Sequence, residues 1–198
     1  ALGISNDRIR SLMEFITKDF PRNEVVIWNT TYGAIKQGFK HKNLTHFGIL
    51  DNVKERRDEK VKWVPHSSCL LDLFNKYEHD QKESHGILID QTQTYDKRIN
   101  DFDDIEKLML SGELKNIIQF IKNVKVVITN SYFGIYWSLL LNRQVIYCGD
   151  DVKLSRRFKD QITEFTGNLE DDTKHLPSSN RYLEKCRSVC TEFIELIL

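Results

Sequence analysis

Residues 124–149 read VKVVITNSYFGIYWSLLLNRQVIYCG, and the fold follows from how that stretch divides. Val126, Val127 and Ile128 form a short β-branched run, as in a buried strand. Thr129, Asn130 and Ser131 make a polar turn, after which residues 132–141 read as an apolar helix. Val145, Ile146 and Tyr147 form a second buried strand. A strand, helix and strand within about 26 residues suit a βαβ crossover in a parallel sheet. The polar turn then lies where strand hands over to helix, the place where open α/β sheets bind ligands.

Outward from this unit, apolar runs alternate with helical spacing. Strands are expected at residues 24–29, 45–50, 62–65 and 85–90. Helices are expected at 6–18, ended by Pro21, at 70–77, at 105–109 and at 114–121, with a further turn around 34–39. Residues 150–163 carry helical spacing at Leu154, Phe158 and Ile162, and 167–177 read as loop. Ser178 or Ser179 caps a last helix whose apolar face is Tyr182, Leu183, Cys186, Val189, Cys190, Phe193 and Ile194. The expectation is a single α/β domain over residues 1–198 with a mainly parallel, Rossmann-like sheet flanked by helices. One sub-boundary is available in the acidic stretch 91–104, which reads equally as a long loop. The chain starts with Ala rather than Met, as a domain taken from a longer chain would.

Composition narrows the function classes. Lysine plus arginine and aspartate plus glutamate both number 29, so there is no global electrostatic drive toward nucleic acid or anionic membrane. No apolar run approaches the ~20 residues of a membrane span, and no signal peptide is visible. Cys69, Cys148, Cys186 and Cys190 contain no CxxC pair and read as small buried hydrophobes in a reducing, cytoplasmic setting. No zinc ligand set, P-loop, HExxH or glycine-rich dinucleotide fingerprint is present.

Several constellations can carry chemistry. The turn at Asn130, Ser131 and Tyr132 offers hydroxyls and helix N-terminal N–H groups to a phosphate or diphosphate, or simply caps the helix. His66, in Pro65-His66-Ser67-Ser68-Cys69, follows a strand and is a candidate general base, as are Asp51 and Asp90. Lys153, Arg156 and Arg157 follow the second central strand within reach of a diphosphate, or form a solvated helix face. Asp101 and Asp103 form a DxD of the kind that holds a divalent metal, although no buried strand precedes it.

Three stretches together resemble a known group. VVITNSYFGIYWSLLLNRQVI, residues 126–146, is similar to a VVTNSYHGVYWALLLGRPVI-like segment of bacterial and phage polysaccharide-biosynthesis proteins. Trp63-Val64-Pro65-His66-Ser67-Ser68-Cys69 is similar to a WVPCxSC element, and Tyr182-Leu183-Glu184-Lys185-Cys186-Arg187 to a YLEECR ending. The group is that of GT-B-type glycosyltransferases and the related polysaccharide pyruvyl transferases. The resemblance implies a GT-B-like half or a compact GT-B fold. It also implies metal-independent transfer of a sugar from a nucleotide-sugar donor to a glycan acceptor, with no other cofactor. Fusion to, or complex formation with, other glycan-synthesis domains is part of the same expectation. Asn130, Ser131, Tyr132 and Gly134 would surround the donor diphosphate, and Ser155, Arg156 and Arg157 stand at a Ser-Ser-Lys-Phe-like element. Phe133 occupies the place of the usual His, and His66 that of the usual first Cys. These departures keep two alternatives open. One is a catalytically degenerate nucleotide- or glycan-binding scaffold. The other is a metal-dependent transferase using Asp101 and Asp103.

Overall fold

A computed structural model describes residues 18, 25–30, 44–50, 61–75, 84–177 and 181–198. The chain forms two compact units, the first made of Ala1–Leu70 with Cys186–Leu198 and the second of Leu71–Lys185. The division thus falls at residues 70/71 and 185/186 rather than within 91–104. That stretch belongs to the second unit, where Tyr95 bridges Gly149 and the Asp96 N–H donates to the Cys148 carbonyl at 2.8 Å.

In the first unit, strands β1 (Val25–Thr30), β2 (Leu44–Ile49) and β3 (Val61–Trp63) form a parallel sheet in that order. Phe47, Ile49, Val61 and Val64 are buried, and the C-terminal part of a last helix supplies Cys186, Cys190 and Phe193. Trp28 meets the Phe193 ring edge-on at 5.4 Å and donates from its indole nitrogen to the Pro65 carbonyl at 3.2 Å.

The second unit contains β4 (His85–Ile89), β5 (Glu106–Met109), α1 (Leu114–Lys122), β6 (Val126–Thr129), α2 (Tyr132–Leu140) and β7 (Gln144–Tyr147). It continues through α3 (Val152–Arg157), β8 (Thr163–Glu164) and α4 (Leu169–Lys174). The strands are parallel in the order β5-β4-β6-β7-β8. The expected βαβ crossover is β6-α2-β7. The central strands are buried along their length, which is why they read as unbroken β-branched runs. Ile87, Ile128 and Ile146 sit in register across three of them, within a core shared by Ile89, Ile99, Val126 and Cys148. The last helix, α5 (Tyr182–Ile197), completes the chain. This is the α/β, mainly parallel, Rossmann-like architecture expected. No helix among the described residues is long and apolar enough to cross a membrane.

Three local expectations differ. Residues 105–109 are not helical but hold β5, an edge strand with Glu106 and Lys107 exposed, fixed by its ladder to β4 rather than by its own pattern. Within 167–177, α4 forms because the Asn168 side chain accepts from the Asp171 N–H. Residues 70–77 give no α-helix among those described. Two 3₁₀ turns, Ser67–Leu70 and Asp72–Phe74, take its place. The expected elements at 6–17 and 34–39, the candidate Asp51 and the caps Ser178 and Ser179 lie outside the described residues.

Helix α2 ends where its sequence turns polar. Asn142 adopts a left-handed φ of 56°, its N–H donates to the Leu139 carbonyl, and the Arg143 N–H donates to the Ser138 carbonyl at 2.8 Å. This is a Schellman closure with Asn in the position that glycine usually takes. It turns Arg143, only 1% exposed, into the core. There its guanidinium donates to the Ile121 and Lys122 carbonyls at 3.2 and 3.1 Å, at the C-terminus of α1. One buried cation thus satisfies carbonyls that a helix leaves orphaned, and it sits at the negative end of the helix dipole. Replacing it with an apolar side chain of similar length, Arg143→Met, is expected to cost about 2–4 kcal/mol in urea unfolding. Amide exchange should quicken first in the last turn of α1.

Candidate functional site

In the second unit the chain leaves β4 toward β5 on one side and returns to β6 on the other. The carboxyl ends of β4 and β6 therefore flank a topological switch point, where the connections diverge and leave a crevice. Asp90 follows β4, and Asn130 and Ser131 follow β6. All three were singled out from sequence.

Asn130 is fully buried and its amide is committed to the protein. Its Oδ1 accepts from the Asp90 N–H at 2.8 Å. Its Nδ2 donates to the carbonyls of Asp90, Gln93 and Thr94 at 2.9, 3.2 and 3.4 Å. Asn130 is thus a clamp across the switch point. The Asp90 carboxylate accepts from the N–H and hydroxyl of Thr92 at 2.9 and 2.7 Å and from the Gln93 amide at 2.9 Å. Burial pushes its pKa up, but the Thr92 and Gln93 hydrogen bonds outweigh this and hold it below the usual carboxylate value. Asp90 is therefore an ionised turn-former and a weak base. Thr92 and Gln93 escaped the sequence reading because only the folded turn brings them onto Asp90.

Ser131 is different. It is the N-cap of α2, with extended backbone at φ −115° and ψ 144°, yet its side chain makes no capping hydrogen bond. Its N–H donates to the Thr129 hydroxyl at 3.3 Å. Its own hydroxyl oxygen is buried and without a hydrogen-bond partner. Nearly all buried hydroxyls are satisfied, so one left open at a helix N-terminus has a hydrogen bond to offer an acceptor there. The N–H groups of a helix's first turn have no carbonyl to meet within the helix and face the same way.

A cation stands beside this turn. The Arg157 guanidinium lies over the ring of Tyr132, the first residue of α2, at 5.3 Å, and Tyr132 in turn stacks on Tyr136 and tilts against Phe158. Burial lowers the Arg157 pKa, although a guanidinium remains charged in proteins. Its sequence neighbours face elsewhere. The Ser155 hydroxyl donates to the Glu164 carboxylate, and Lys153 and Arg156 are exposed. Gly134 serves packing, because a Cβ there would run into the Thr129 hydroxyl and hold α2 off β6. Phe133 stacks on Trp137 at 4.9 Å and meets Tyr132 edge-on at 5.3 Å.

In the first unit, His66 follows β3. The Ser68 N–H donates to its Nδ1 at 3.2 Å, and the Ser68 hydroxyl lies 3.0 Å from the same nitrogen. An accepting Nδ1 puts the hydrogen of the neutral ring on Nε2, and burial lowers the His66 pKa. Asn29, in the left-handed region at φ 61°, exchanges hydrogen bonds with Ser67. Its tolerance of that conformation was the available signal, and the sequence reading passed over it. As for the DxD, Asp101 ends a 3₁₀ turn and Asp103 lies 3.9 Å from Lys107 on the surface. Among the described residues no group of three or more His, Cys, Asp or Glu gathers to hold a metal ion.

No family model, curated protein or solved structure matches this chain.

Two outcomes follow from the geometry. Asn130→Ala leaves the part-buried Asp90 N–H unpaired and releases the 90–94 turn, with an expected loss of about 1–3 kcal/mol in chemical denaturation. For His66, the folded-state pKa lies below the unfolded one. Its contribution to stability is therefore full above the ordinary imidazole pKa, about 6.5, and falls as pH drops through the folded value. A His66→Gln variant should show a flatter decline between about pH 7 and 5 in urea midpoints, the remaining slope including the similarly lowered His85.

Proposed function

We propose that this chain handles the activated donor of a glycosyltransferase, transferring a sugar from a nucleotide sugar to a glycan acceptor without a required metal. The observation that carries the reading is the buried, unpartnered Ser131 hydroxyl at the N-terminus of α2, beside the switch point of a parallel sheet. A donor diphosphate offers the acceptor oxygens that this hydroxyl and the first-turn N–H groups lack. As the sugar leaves, negative charge grows on the diphosphate. The helix N-terminus and the nearby Arg157 charge would stabilise that charge without reorganising. The resemblance of residues 126–146 to polysaccharide-biosynthesis proteins supports the same assignment. So does the presence of a parallel sheet in each of two units, as a GT-B-like chain would have. The setting is then cytoplasmic glycan synthesis, with a glycan acceptor and partner synthesis domains.

In this reading Asn130 and Gly134 act as positioning residues, and Ser131 makes the anion contact. Asp90 is ionised but is weakened as a base by its three hydrogen bonds. His66, with its hydrogen on Nε2, is suited to donate a hydrogen bond rather than to take a proton from the acceptor. Asp51 remains the third candidate base.

One observation favours a second reading, a binder without turnover. Phe133 stands where the resembled segment has His, and its ring packs on Trp137 and Tyr132 without any group that moves a proton.

Thermal shift with a panel of nucleoside diphosphates and their sugars tests both readings. Stabilisation by millimolar nucleoside diphosphate is expected, and none across the panel would sink the proposal. Because the Ser131 hydroxyl has no partner to lose, Ser131→Ala should change folding stability by no more than about 0.5 kcal/mol. It should nevertheless weaken diphosphate binding about tenfold or more. Sugar transfer or donor hydrolysis separates the enzyme from the binder, and activity that survives EDTA and Asp103→Ala separates it from a metal-dependent transferase.

A further inference from the structure

Three thiols lie in the first unit, outside the proposed donor site. Cys69, Cys186 and Cys190 are all fully buried, and none is in a disulfide. Cys69 lies in the 3₁₀ turn Ser67–Leu70 after β3, and Cys190 on the inner face of α5. Their sulfurs are 3.4 Å apart, although the residues are separated by 121 positions in sequence. The surrounding contacts hold the two backbones in place. The Arg187 Nε donates to the Cys69 carbonyl at 2.8 Å, the Cys190 thiol points at the Pro65 carbonyl at 3.7 Å, and Phe193 packs on Trp28. A disulfide needs the sulfurs to close to about 2.05 Å, a shift that side-chain rotation can supply once the pair is already in contact.

We propose that Cys69 and Cys190 form a redox latch, in which oxidation by a small disulfide such as glutathione disulfide joins α5 covalently to the turn after β3. The Cys69 thiolate displaces one glutathione thiolate to give a mixed disulfide. The Cys190 thiolate then displaces the second. The glutathione disulfide is reduced to two thiols, the protein dithiol is oxidised, and the two protein protons pass to the leaving thiolates. The contact pushes the Cys190 thiol up, through its hydrogen bond with Cys69 and then burial; the reverse order of attack gives the same disulfide. Both sulfurs are buried, so exchange passes through a local opening of α5 and is slow in the native protein. Cys186 is not the partner. It lies one turn from Cys190 on the same helix, where Cβ atoms are about 5–6 Å apart, beyond disulfide reach.

The bond closes a loop that contains the whole of Leu71–Lys185. A cross-link of that span restricts the unfolded chain strongly, so the oxidised protein is the more stable form.

The test is incubation of the full chain with glutathione disulfide, followed by alkylation and peptide mapping. The expected result is loss of two of the four thiols and a single peptide pair joining Cys69 to Cys190. Formation should speed up in urea below the unfolding transition. The Tm should rise on oxidation and return with dithiothreitol. Cys148→Ser should keep the link, and Cys69→Ser and Cys190→Ser should each abolish it. The wild-type mapping stands by itself if either of the latter fails to fold. A link through Cys186, a lasting glutathione adduct without a link, or thiols that oxidise only in the unfolded chain would each overturn the proposal.

Discussion

The second unit depends on one amide. At the switch point, β4 and β6 run side by side while the chain beyond them turns in opposite directions. The backbone groups of residues 90–94 lie beyond the ladder there, and the buried Asn130 side chain takes several of them up. Asn130 carries both a donor and an acceptor on a short stem, so it can meet an N–H on one atom and three carbonyls on the other. An ionised Asp could only accept, and a Ser hydroxyl has a single hydrogen to donate. This sets what comes next. With Asn130 committed to the protein, the next side chain is the unpartnered Ser131 hydroxyl, which the strand end delivers to the start of α2.

Two arginines show opposite relations to helix dipoles. Arg143 sits at the C-terminus of α1 and donates to its last carbonyls, where a cation belongs. Arg157 lies over Tyr132 at the N-terminus of α2, where the dipole alone disfavours a cation. In the first arrangement Nε and Nη2 of the guanidinium meet the helix carbonyls. In the second the guanidinium rests on an aromatic face rather than on backbone groups at the helix end. The two basic residues close to the same βαβ unit thus sit in different surroundings, one on carbonyl oxygens and one on a ring.

Much of this was legible in the sequence, for definite reasons. Central parallel strands are buried on both faces, so β4, β6 and β7 announce themselves as β-branched runs. The edge strand β5, with Glu106 and Lys107 exposed, carries no such signal, and only pairing with β4 makes it a strand. Helix α4 depends on one capping side chain, Asn168, in a stretch otherwise polar enough to read as loop. At the site, the polar turn was evident from its position between strand and helix. The division of labour within it was not. That Asn130 is consumed, that Gly134 answers the bulk of Thr129, and that Ser131 alone is left open are facts of hydrogen-bond partnership. One-dimensional spacing does not carry them.

The first unit is assembled from both ends of the chain, and the second from its middle. During synthesis the segment Leu71–Lys185 is complete before Cys186–Leu198 exists. The parallel sheet around Asn130 can therefore close early, on contacts made wholly within its own segment. The N-terminal strands must wait, because Trp28 finds Phe193 only after the last helix has emerged. The part of their packing that α5 supplies is therefore made only after residues 71–185 have been synthesised. The long sequence separation makes this contact slow to form, and the first unit inherits that delay.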